Sequence, residues 1–146
     1  MKTQLIRLMR ACALLAPLLL GLPGLAEAGI VAKISVGGQR MDVYVDGRPR
    51  YSWPVSTARR GYHTPTGTFK PTALAVWHRS TIYSGSPMPH AIFFKRGYAI
   101  HGSYEIKHLG TPASHGCVRL HPSAAAQLFT LVNQYGAANT VIQIGN

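Results

Sequence analysis

Three shortages constrain this chain. It has only two cysteines, and neither a Cys-x2-Cys nor a His-x3-His spacing accompanies them. It has four Asp and Glu residues against fifteen Lys and Arg. Its apolar run Ala11–Leu22 falls short of the roughly 20 residues a bilayer-spanning helix needs. The first shortage argues against a disulfide-stapled fold and a structural zinc site. His101, His108 and His115, spaced by seven, can be drawn with Cys117 as a metal set, but the usual ligand spacing is missing, so no metal and no cofactor is expected. The second leaves a basic surface suited to an anionic partner. No basic run interleaved with aromatics occurs, which argues against nucleic acid.

The third shortage makes residues 1–28 read as an export leader. Lys2, Arg7 and Arg10 form a positive start, Pro23-Gly24 breaks the apolar run, and Ala26-Glu27-Ala28 is a small-x-small cleavage pattern. Cleavage there makes Gly29 the first mature residue and residues 29–146 one compact domain, exported to the periplasm and not spanning the membrane. Cys12 leaves with the leader, so Cys117 remains as an unpaired thiol. The acids that remain are Asp42, Asp46 and Glu105. For an exported protein the accessible polyanions are the cell wall and the membrane surface. Arg40, Arg48, Arg50, Arg59 and Arg60 read equally well as solvated positions near turns.

What is present is mostly alternation. Ile30, Ala32, Ile34 and Val36 share one face of a strand, and Gly37-Gly38 reads as a turn. Met41, Val43 and Val45 repeat the period of two, and Asp46-Gly47 is a hairpin signal. Arg50–Val55 reads as the returning strand, with Pro54 pointing to an edge. Further strands are expected near Thr68–Phe69, Ala73–Trp77, Ala91–Phe94, Tyr98–His101, Val118–Leu120 and Thr140–Ile144. One helix stands out: Pro122 opens it, Ala125, Leu128, Phe129, Val132 and Tyr135 recur at helical spacing, and Gly136 stops it. The expectation is a mainly β domain, a curved sheet or sandwich, with one packed helix near the C-terminus.

Into that scaffold falls Ser114-His115-Gly116-Cys117-Val118-Arg119-Leu120. Inert buried cysteines have apolar neighbours; this one has His, Gly and Arg. A free thiol has a pKa of about 8.5, and an adjacent imidazole can take its proton to give a thiolate–imidazolium pair, reactive near neutral pH. His101, at the end of a strand, suits that role better than His115, whose ring is too close in sequence to reach back. The carbonyl of Gly102 can orient the imidazole by accepting its Nδ1–H. Gly116 permits a tight turn, and the N–H groups of His115, Gly116 and Cys117 are candidate oxyanion donors. Arg119 offers a fork for a substrate carboxylate; an internal ion pair is the weaker reading because so few acids remain. Met88-Pro89-His90, after Ser84-Gly85-Ser86-Pro87, reads as a flap over the thiol or as a plain surface loop. Trp77, Tyr83, Phe93, Phe94 and Tyr98 are expected in the core or the cleft wall.

The heptapeptide at 114–120, preceded by His101-Gly102, resembles the signature of L,D-transpeptidase catalytic domains of the YkuD type. Gly61-Tyr62-His63-Thr64-Pro65-Thr66-Gly67-Thr68-Phe69 is similar to the Thr-Pro-x-Gly-x-Phe stretch of those domains, and the likeness spans roughly residues 30–144. The resemblance implies an L,D-transpeptidase-like β-sandwich acting on peptidoglycan. Cys117 would attack the carbonyl before the terminal D-alanine of a stem tetrapeptide, and the acyl group would pass to an amine acceptor. It implies His101 as base and acid and Gly102 as its orienting partner. Ser114, His115 and Gly116 would line the oxyanion pocket with Cys117, Arg119 would hold a substrate carboxylate, and a flap around Met88 would cover the cleft. No wall-anchoring repeat accompanies the domain, so basic charge would have to place it on its substrate.

Alternatives stay open. Water in place of the amine makes an L,D-carboxypeptidase or amidase, and an envelope protein can serve as the acceptor. A sortase also runs His, Cys, Arg in order, but its Thr-Leu-x-Thr-Cys context is missing. A wall-binding module with an inert thiol is the non-enzymatic reading.

Overall fold

The computed structural model describes residues 28–146; apart from Ala28, the proposed leader lies outside the described residues. Alternation yields two sheets. β1 (Ile30–Ser35), β2 (Arg40–Val45), β3 (Arg48–Pro54), β4 (Gly67–Phe69) and β9 (Thr140–Gly145) form a five-stranded sheet in the order β3-β2-β1-β9-β4. β5 (Ala73–Arg79), β6 (Pro87–Lys95), β7 (Tyr98–Gly102) and β8 (Val118–Leu120) form a four-stranded sheet in that order. The two sheets make a mainly β sandwich with one helix near the C-terminus.

Ile30, Ala32 and Ile34 of β1, Met41 and Val43 of β2, and Ile142 and Ile144 of β9 face one core with Ile92, Phe94, Ile100, Val118 and Leu120 of the second sheet. Asp46 and Gly47 both take positive φ, 51° and 75°, as a two-residue hairpin turn requires. Pro54 ends an edge strand, where its missing N–H breaks no ladder. The first turn spans residues 36–39, where Gly37-Gly38 was expected to turn the chain. Gln39, not Gly37 or Gly38, takes the left-handed conformation (φ 49°). The gain is a buried amide: Gln39 Nε2 donates to Val36 O (2.7 Å) and Thr57 Oγ1 (2.6 Å), and its Oε1 accepts from Thr57 N (3.0 Å).

The helix α1 (Pro122–Tyr135) has His121 at its N-cap, accepting from Ser123 N, and Pro122 in the first turn, where its missing N–H matters least. It ends at Gly136, whose N–H bonds Val132 O at 2.8 Å. Ala124, Ala125, Leu128 and Val132 are buried, and the helix packs mainly on β6 and β7. A side chain at Gly102 would press Pro122 Cα and Pro89 Cγ at 3.1 Å, so this position keeps the helix start close to the end of β7. Among the described residues no helix is long and apolar enough to cross a membrane.

Two irregularities matter below. His90 of β6 has φ 52°, a left-handed backbone inside a strand whose pairing with β5 keeps the same register on either side of it. The segment after β3 then leaves the larger sheet for the edge of the smaller one. Ser56 bridges Arg119 and Ala58 bridges Ser114, with Ser56 N to Arg119 O at 3.0 Å and Arg119 N to Ser56 O at 2.9 Å.

Candidate active site

β7 and β8 run parallel with Ile100 opposite Val118 and His101 opposite Arg119. Since side chains alternate, His101 and Arg119 share the face that Cys117 enters one residue before β8. That face forms the wall of a cavity of about 450 Å³, lined also by Met88, Phe93, Tyr98, His78 and the 80–86 turn. Met88, Ala91 and Ala99 pack with Phe93 and Cys117 into a small apolar floor.

His101 is buried and its Nδ1 lies 2.7 Å from the Gly102 carbonyl. A carbonyl only accepts, so Nδ1 carries the hydrogen and Nε2 is the basic nitrogen. Burial pushes the His101 pKa down to about 4; the Gly102 contact opposes this, and the charges of Arg119 and His78 add to it. Burial likewise pushes the Cys117 thiol up, against the Ala99 backbone N–H and the Arg119 charge. The sulfur lies 3.9 Å from the Gly97 carbonyl. Both shifts oppose the thiolate–imidazolium pair expected from sequence. A neutral thiol beside a neutral imidazole is the favoured state at pH 7, because a dry site disfavours both charged forms.

The nucleophile loop is held by its own side chains. Ser114 Oγ donates to Cys117 O (2.6 Å) and accepts from Gly116 N (3.0 Å), while Thr64 Oγ1 donates to Gly116 O (2.9 Å) and accepts from Ala58 N (2.9 Å). Gly116 has φ 136°, and a Cβ there would meet Tyr98 Cε1 at 2.5 Å and His63 O at 2.8 Å. Only glycine fits. Its N–H, expected as an oxyanion donor, is already bonded to Ser114, which narrows that role to His115 and Cys117.

Three further expectations change. Arg119 is ion-paired: its Nη1 lies 2.7 Å from Glu105 Oε2, the arrangement judged the weaker one from the count of acids. The loop carrying Glu105 brings one of the few carboxylates to the cavity, a placement that counting cannot see. Met88 is a buried residue of β6, opposite His78, and forms floor rather than flap; the β5–β6 turn, with Ile82 and Tyr83, stands over the cavity instead. β6 runs on through Pro89 to Met88 despite its prolines, with Pro89 opposite Trp77 and Met88 opposite His78. Trp77, expected in core or cleft wall, is 54% exposed on the edge strand β5 beside Arg79.

The catalytic-domain model of the L,D-transpeptidase (YkuD) family matches residues 29–144. The chain belongs to the L,D-transpeptidase catalytic-domain family. This is a family of enzymes. Among solved structures, the L,D-transpeptidase of Xylanimonas cellulosilytica (residues 123–326 of that protein) is 29% identical with a TM-score of 0.67, covering 81% of this chain and 61% of that one. The L,D-transpeptidase of Stackebrandtia nassauensis is 26% identical with a TM-score of 0.70, covering 82% and 56%. L,D-transpeptidase 3 of Mycobacterium tuberculosis, solved with a faropenem-derived adduct, is similar in fold at 19% identity and a TM-score of 0.69, covering 81% and 60%. The chain thus spans little more than half of these relatives' lengths. Among functionally curated proteins no match was found.

Sequence reading missed several residues in and around this cavity. His115 is clasped: Arg59 Nη2, which can only donate, lies 2.9 Å from its Nε2, Tyr83 stacks on it at 4.0 Å and Tyr62 meets it edge-on at 4.7 Å. Burial, then the charges of Arg59 and Arg119, push its pKa down, against Glu105. Arg59 therefore has a partner and is not merely a solvated turn residue. Thr64 entered the sequence reading only as part of the Thr-Pro-x-Gly-x-Phe stretch, with no role of its own assigned. Gln39 and Thr57 carried no signal, since their importance comes from a contact across 18 residues.

Proposed function

We propose that this domain is a cysteine L,D-transpeptidase of the periplasm that acts on peptidoglycan stem peptides. The observation that carries the reading is the placement of Cys117 and His101 on one face of adjoining parallel strands, at the wall of one cavity. The His101 tautomer supports general-base chemistry, because Gly102 takes Nδ1–H and leaves the Nε2 lone pair for the thiol proton. With both groups neutral at rest, the proton moves as sulfur attacks. Nε2 then returns it to the leaving D-alanine amine. Deacylation by an amine acceptor reverses these roles. His115 and Cys117 N–H groups supply oxyanion stabilisation, Ser114 braces the loop, and Arg119 receives a donor carboxylate. Met88 shapes the floor.

The acyl acceptor is an amine of a second stem, or of an envelope protein. Export rests on residues 1–28, and recruitment rests on the basic surface attracting carboxylate-rich wall polymer. Binding to isolated wall that does not weaken with added salt would rule out that recruitment.

The chemistry is tested by intact-mass analysis after exposure to a penem or carbapenem. Wild type should gain a single adduct, while Cys117→Ala and His101→Ala should gain none; an adduct on Cys117→Ala sinks the assignment. A stem tetrapeptide supplied with and without an amine acceptor then separates transfer from hydrolysis. Protein recovered from the periplasmic fraction should begin at Gly29.

A further inference from the structure

Among the described residues Glu105 is the one acid paired with a residue of the cavity wall, Arg119; Asp42 and Asp46 belong to β2 and its turn in the other sheet. Its pairing with Arg119 is asymmetric. The Arg119 side chain is 17% exposed and that of Glu105 62%. Arg119 is also fixed through its backbone, by the two bonds to Ser56. Glu105, by contrast, precedes the short 3₁₀ turn Ile106–His108, caps it with no side-chain bond, and sits between the exposed Tyr104 and Ile106. Its backbone is tethered locally by two 3.2 Å bonds, its N–H to Ser103 Oγ and the His108 N–H to its carbonyl, and neither restrains the carboxylate. The guanidinium is thus part of the wall, and the carboxylate reaches in from solvent. Releasing so exposed a partner costs little, typically under about 1 kcal/mol, whereas a half-buried guanidinium left without any counter-charge is disfavoured.

We propose that Glu105 is a built-in competitor for the carboxylate position on Arg119, displaced into solvent when an anionic acyl donor binds. It rests on the donor reading of the cavity given above. Glu105 then acts through Arg119 as a positioning residue. A donor bearing a carboxylate replaces it one for one and keeps Arg119 neutralised, while an uncharged donor offers no replacement. The competition lowers affinity for every anionic donor by the fraction of molecules in which Arg119 is occupied, and makes the carboxylate a condition of productive binding.

The decisive measurement uses Cys117 alkylation by iodoacetate and iodoacetamide, two probes of similar size and different charge, at about 0.15 M salt. Glu105→Gln should raise the iodoacetate-to-iodoacetamide rate ratio about fivefold, an increase absent from Glu105→Gln in an Arg119→Gln background. Asp42→Asn changes net charge equally on the far sheet and should leave the ratio unchanged. A ratio within twofold of wild type in Glu105→Gln, or an equal rise in Asp42→Asn, overturns the proposal. In turnover, Glu105→Gln should lower KM for a stem tetrapeptide about fivefold at constant kcat, and leave KM unchanged for the same peptide with its carboxylates amidated. Equal changes for both peptides also overturn it. If wild type turns over neither peptide, the donor reading fails, and the alkylation ratio still decides whether Glu105 screens Arg119.

Discussion

Along β7 and β8, Ile100, Val118 and Leu120 turn toward the shared core, while His101, Cys117 and Arg119 turn toward the cleft. The two faces share the same backbone and ladder, and His101 is nearly as buried as Ile100. Burial works in opposite directions on them. On the core face it stabilises the fold, roughly 1.5–3 kcal/mol for a fully buried aliphatic side chain. On the cleft face it suppresses the charged forms of an imidazole and a thiol. The cleft face therefore needs outside support, and it comes from hydrogen bonds reaching across from the 55–64 segment rather than from packing alone.

The strongest way to break this contrast is Gly116→Ala. Steric conflict with Tyr98 and His63 combined with an unfavourable φ should cost about 4 kcal/mol of stability and lower the Cys117 alkylation rate at least tenfold, read by denaturant melts and iodoacetamide kinetics. Leu120→Ala attacks the core face alone. Roughly 2–5 kcal/mol should be lost, with alkylation of the folded protein changed less than about twofold; a tenfold change would show that the faces are not separable.

Protonation sharpens the comparison. His101 has a folded pKa of about 4 against 6.5 for the unfolded chain, so the unfolded state binds more protons between these values. Stability contributed by the neutral imidazole is present above pH 6.5 and lost as pH falls toward 4, at most about 3 kcal/mol. Melts of His101→Gln should lack that part of the acid loss. The raised thiol pKa adds that wild-type alkylation should keep rising above pH 8, without the neutral plateau of a preformed ion pair. The smallest effect expected is Thr64→Val, which keeps shape but leaves Ala58 N and Gly116 O unpaired, costing about 1–3 kcal/mol in the same melts.

Legibility in the sequence follows the range of the interactions. The alternation of β1 and β2, the Asp46-Gly47 turn, the helix from Pro122 to Gly136 and the nucleophile heptapeptide are stated by residues within a few positions of one another. The Gln39–Thr57 contacts, the Met88 floor and the Arg119–Glu105 pair were misjudged or unseen, because each depends on what a distant segment brings alongside. Arg59 meets His115 across 56 positions and Thr64 meets Gly116 across 52.

By itself the sequence determined which atoms can react and which local shapes the backbone takes, since periodicity, turn chemistry and the thiol's neighbours are properties of adjacent residues. Tertiary structure alone decided that burial disfavours the charged forms of the thiol and imidazole, that one backbone N–H of the loop is already bonded, and that Arg119 has a partner. Those outcomes depend on solvent exclusion and on distances between remote segments, which exist only after the two sheets have closed on each other.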